Sequence, residues 1–61
     1  MVNIQTAKQK CIQFNLRSQT LLKIIEKYEN GQLKPAEARA QALAIISDLR
    51  VMLTSAQNAL S

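Results

Sequence analysis

The sequence predicts an all-α fold: an antiparallel two-helix hairpin that completes a four-helix bundle by dimerisation or by docking on a partner. Three features predict it. Apolar residues recur at heptad a/d spacing in both halves of the chain. One break carrying the sole Gly and the sole Pro separates the halves. The apolar arcs are also wider than one helix–helix seam needs.

The 61 residues form one domain, with a first helix expected over about 4–29, a turn over 30–34 and a second helix over about 35–60. In the first half Ile4, Ala7, Cys11, Phe14, Ser18, Leu21, Ile25 and Tyr28 alternate steps of three and four, a seam with one polar member, Ser18. Thr6 followed by Gln9 offers a capping box near the start, and Asn3 is an alternative cap one turn earlier. The hydroxyl of Ser18 is expected to bond back to the carbonyl four residues earlier, with the fixing of register or oligomer state as its other reading.

In the break, Asn30-Gly31-Gln32-Leu33-Lys34-Pro35, Gly suits the left-handed position past a helix end and Pro suits the first turn of the next helix. Asn-Gly can also turn a β-hairpin, but neither flank alternates with period two. In the second half Ala38, Ala42, Ile45, Leu49, Met52, Ala56 and Ala59 repeat the heptad spacing. Glu37 stands in the first turn, where a carboxylate favours the helix dipole. A short connection makes the two helices antiparallel neighbours.

The extra apolar width lies beside the seams. The first helix adds Leu22 and Ile24, one on each side, and the second adds Ile46, Leu53 and Leu60 at seven-residue intervals, with Leu43 beyond. Arcs of that width fit helices that each touch two neighbours, and a two-fold dimer is the commonest closed way to supply them. The interface is expected on Phe14, Ser18, Leu21, Ile25 and Tyr28 of the first helix and on Ile45, Ile46, Leu49, Met52 and Leu53 of the second. Ile12 and Leu16, four apart on the back of the first helix, are either scattered apolar residues or a partner patch, and Val51 is similar on the second.

Composition argues against catalysis and metal binding. There is no His, a single Cys, and only four scattered carboxylates, so neither a general base with a companion nor a ligand cluster is in view. No cofactor is expected. Cys11, on the seam, is expected to be a buried, inert thiol. Eight Lys/Arg against four Asp/Glu leave a net charge of +4. The cations make no single stripe and no aromatic is interleaved for base stacking, so a solvated surface is favoured over a polyanion site. Should nucleic acid bind, Lys10, Arg17, Arg39 and Arg50 are the expected contacts. Glu26 and Lys23 are placed to form a surface pair. The longest apolar run, Ala42 to Ile46, is far short of a membrane span, and no charged segment with an apolar core opens the chain. A free Cys with no export signal fits a reducing cytoplasm.

The stretch from Phe14 to Ala42 resembles the small subunit of exonuclease VII. The resemblance rests on Phe14, Leu21, Ile24-Ile25-Glu26, the turn Glu29-Asn30-Gly31-Gln32-Leu33 and Glu37-Ala38, matched without a gap. It implies a noncatalytic helical hairpin that binds a large nuclease subunit. The expected function is thus a noncatalytic interaction protein, self-associating or acting as a small accessory or regulatory subunit of a larger protein. The alternative is a hairpin dimer that binds RNA or DNA through surface Lys and Arg.

Overall fold

A computed structural model describes residues 2–61. Two α-helices, α1 (Ile4–Glu29) and α2 (Pro35–Leu60), pack against each other as an antiparallel hairpin, and the described residues contain no strand. Each helix has 26 residues, which at 1.5 Å per residue makes rods of ~39 Å. The molecule measures 47 × 15 × 9 Å between Cα extremes. Its radius of gyration, 14.1 Å, exceeds the ~10.5 Å of a compact chain of this length.

Local chemistry sets the helix ends. The first turn of α1 is capped by Asn3, whose Oδ1 accepts from the Thr6 amide at 3.0 Å. The cap is therefore Asn3 and not Thr6, whose residue lies within the helix. Asn3 also donates its own amide to the Ala59 carbonyl at 2.6 Å. That bond satisfies one of the carbonyls left free at the end of α2 and fastens the two chain ends together.

At the other end α1 closes in a Schellman motif. The Gly31 amide donates to Tyr28 O at 3.1 Å and the Gln32 amide to Lys27 O at 2.8 Å, with Gly31 at φ +75°. Lys34 caps α2 without a side-chain bond, so Pro35 at the first position and Glu37 in the first turn define its start. Leu33, inside the turn, packs against the core.

The core is small. Ile24, Ile45 and Leu49 form its buried centre, with Phe14, Leu21, Leu33 and Met52 half-buried around them. The other buried side chains, Ala7, Ala38 and Ala56, are alanines nearer the ends of the seam. Among the described residues no large side chain is completely enclosed.

The contact line of α1 differs from the heptad seam expected of it. Ala7, Phe14 and Leu21 face α2, as the spacing predicts. Between them the half-buried Lys10 and Arg17 and the buried Ile24 occupy the seam. The expected members Ile4, Cys11, Ile25 and Tyr28 are exposed, Ile25 at 45% and Tyr28 at 48%. The expectation of a buried Cys11 is thereby corrected. An apolar arc wider than one seam has two edges, and a single neighbour covers one of them. Here α2 takes the edge with Ile24. Arg17 closes that edge by reaching Asp48, with Nη2 donating to Oδ2 at 2.9 Å and Nε to the same oxygen at 3.3 Å.

Candidate functional site

The uncovered edges of the two helices lie on the same side of the hairpin. At ~100° per residue, Ile4, Cys11, Ser18 and Ile25 form a line turned to one side of the α1 contact. On α2 the line Ile46, Leu53 and Leu60, continued by Arg39, is turned the same way because the helices run in opposite directions. Contacts on both sides fix this handedness. Ile25 and Arg39 line one hollow together, whereas Arg17 and Asp48 meet on the opposite face. Leu22 and Leu43 widen the first face. Six of its large apolar side chains are more than two-fifths exposed: Ile4, Leu22, Ile25, Leu43, Leu53 and Leu60.

The expected interface residues therefore divide. Leu49 and Ile45 are buried inside the hairpin, and Phe14, Leu21 and Met52 are half-buried against its core. Ser18 and Ile46 are half-buried at the margin of the open face, and Ile25 and Leu53 stand on it. Tyr28 is exposed at the turn end, where it too lines the hollow. The Ser18 hydroxyl donates to the Asn15 carbonyl at 2.9 Å, three residues back and not four. Cys11 lies mid-face, exposed.

The hollow, of about 250 Å³, opens near the turn and is lined by Ile24, Ile25, Tyr28, Pro35, Ala38, Arg39 and Ala42. It exists because α2 begins with small side chains, Ala38 and Ala42, opposite the isoleucines of α1. Sequence reasoning assigned no site to it, although the alanine spacing in α2 was its visible sign. Leu22, Leu43 and Leu60 were expected as the extra apolar width that a second neighbour covers, and Ile4 as a seam residue, though none was among the ten residues expected at the interface.

The four cations considered for polyanion binding do not converge. Lys10 is half-buried in the seam, and Arg17, on the same side, is paired with Asp48. Arg39 and Arg50 are exposed on the opposite flank, Arg39 at the hollow. The Arg17–Asp48 contact is the ion pair found among the described residues; Glu26 and Lys23 form none. Ile12 and Leu16 are exposed on the back of α1, and Val51 on the back of α2, apart from the open face. Among the described residues no three His, Cys, Asp or Glu side chains gather as a metal site, and no helix is long and apolar enough to cross a membrane.

The accessible surface is 4773 Å². A compact monomer of 6.8 kDa exposes ~4,000 Å² by the usual scaling of area with mass. The hairpin thus carries an excess on the order of 800 Å², about what one partner contributes to a standard interface.

No protein-family model, curated protein or solved structure matches this chain.

Proposed function

We propose that this chain is a noncatalytic helical-hairpin interaction module that pairs its open apolar face with that of a second copy, completing a four-helix bundle. The observation that carries this reading is the one-sided face itself. Ile4, Cys11 and Ile25, with Ser18 between them, line it on one helix and Ile46, Leu53 and Leu60 on the other at seven-residue intervals, which is the spacing at which helices present knobs to other helices. A flat or irregular partner surface has no use for that period. The surface excess supports the same reading, because its size suits one helical neighbour for each helix. So does the small core: three of its six buried residues are alanines, and a chain of ~60 residues buries only about 60% of its unfolded surface. The resemblance to exonuclease VII small subunits, on the residues from Phe14 to Ala42, supports the noncatalytic, assembly-directed character.

Light scattering on the purified chain tests the proposal. A particle of twice 6.8 kDa is expected at micromolar concentration. A folded monomer at that concentration overturns self-association. A monomer that acquires stable mass only with a larger protein would transfer the same face to an accessory-subunit role.

A further inference from the structure

We infer that the second copy packs head to tail, with the turn of each hairpin against the chain ends of the other, so that Leu60 of one copy fills the hollow beside Arg39 of the other. This rests on the four-helix reading above and goes beyond it, since a bundle can close with the two turns together or apart.

The face is built in four layers, each ~10.5 Å from the next because seven residues rise that far. From the chain ends to the turn they are Ile4 with Leu60, Cys11 with Leu53, Ser18 with Ile46, and Ile25 with Arg39. The first layer is bulky and exposed, and the last is hollow and charged. A two-fold axis running along the helices places each layer on its own copy. The bulky layers of Ile4 and Leu60 then gather at one end, away from the hollows they could fill. At the other, two hollows face each other across two guanidinium groups, leaving unfilled space and like charges brought together in a partly dry site.

A two-fold axis running across the helices sets each layer on its complement. The Ile4 and Leu60 layer meets the Ile25 and Arg39 layer, so the protruding leucine enters the 250 Å³ hollow. Because this axis sets α1 on α1 and α2 on α2, each middle layer then brings Cys11 of one copy beside Ser18 of the other, and Leu53 beside Ile46. The two Arg39 side chains lie ~30 Å apart at opposite ends, where their stems cover Leu60 and their charges stay in water. The shared face, 47 by 15 Å between Cα extremes, offers on the order of 700 Å² per copy, near the ~800 Å² of a standard interface.

The orientation is read directly by pulsed electron–electron spin resonance on Gln32→Cys in a Cys11→Ser background, spin-labelled at the turn, outside the face. Head-to-tail packing places the two labels about as far apart as the molecule is long, 47 Å. Labels within about 20 Å of each other, roughly two interhelical spacings, overturn the orientation and leave the bundle standing. A monomeric mass with no dipolar coupling overturns both.

Ser18→Cys gives a second measurement. Positions 11 and 18 of one chain are ~10.5 Å apart on one helix, beyond the ~7 Å Cα limit for a disulfide, so any bond between their thiols joins two copies. Mild oxidation is expected to yield a covalent dimer in which Cys11 of each copy is linked to the introduced thiol of the other. A dimer that remains uncrosslinked, or that links Cys11 to Cys11, overturns head-to-tail packing.

Discussion

Gly31 holds the tightest local demand in the chain. Its φ of +75° completes the turn that stops α1 and starts the return, and a Cβ there would meet nothing within 4 Å. The cost of Gly31→Ala is therefore backbone strain alone, about 1 kcal/mol, and the melting temperature should fall by ~4–8 °C. Gly31→Asn should lose less, because Asn visits the left-handed region more readily. Thermal melts of both variants against the parent check this order. Cys11 makes a different prediction. It is exposed in the hairpin but would sit within the bundle when two copies meet. Its rate of reaction with a disulfide reagent should be that of an open thiol at high dilution and should drop as concentration rises. A rate independent of concentration would show that nothing covers the face.

At the scale of the helices, burial separates large apolar residues of one helix. Ile24 is 9% exposed and Leu16 59%. Truncating Ile24 to Ala opens a cavity in the core centre and should cost about 2–5 kcal/mol, while Leu16→Ala should stay within about 0.5 kcal/mol. Chemical denaturation of the two variants measures the contrast. The Arg17–Asp48 pair is two-fifths to one-half exposed, so a double-mutant cycle should return at most ~1 kcal/mol, fading as salt is added. The hairpin itself was legible in the sequence. The heptad spacing identified both helices, and Asn30-Gly31 with Pro35 identified the reversal, because turn stereochemistry and helical period are local properties. The rotation of α1 was not legible. Cys11 and Lys10, or Ile25 and Ile24, are neighbours in sequence, and the centre of an apolar arc does not say which edge the nearest helix will take. That choice rests on contacts made from α2, above all Asp48 reaching Arg17 and Ile45 and Leu49 packing on Ile24. The hollow escaped for the same reason, since it is made by alanines of one helix lying opposite isoleucines of the other.

For the molecule as a whole, folding and association are expected to be one event. The buried centre amounts to Ile24, Ile45 and Leu49 with three alanines, while six large apolar side chains wait on one face, so the surface that would offset the entropy of ordering two long helices lies mostly between copies. A state held together by association gains stability with concentration. The melting temperature followed by circular dichroism should therefore rise steadily over a hundredfold increase in protein concentration. Leu53→Glu puts a carboxylate into each middle layer of the bundle, where burying it unpaired costs several kcal/mol. This variant should lose both its dimeric mass and most of its helical signal at micromolar concentration. Val51→Glu, on the back of the same helix and 63% exposed, should keep both. These two substitutions add the same charge within one turn of helix, so a difference between them cannot come from net charge, and one of several kcal/mol exceeds the few tenths by which Val and Leu differ in helix propensity; it reports the face. If Leu53→Glu keeps its helix and melts at the same temperature at every concentration, the hairpin is stable by itself and the apolar face has some other use.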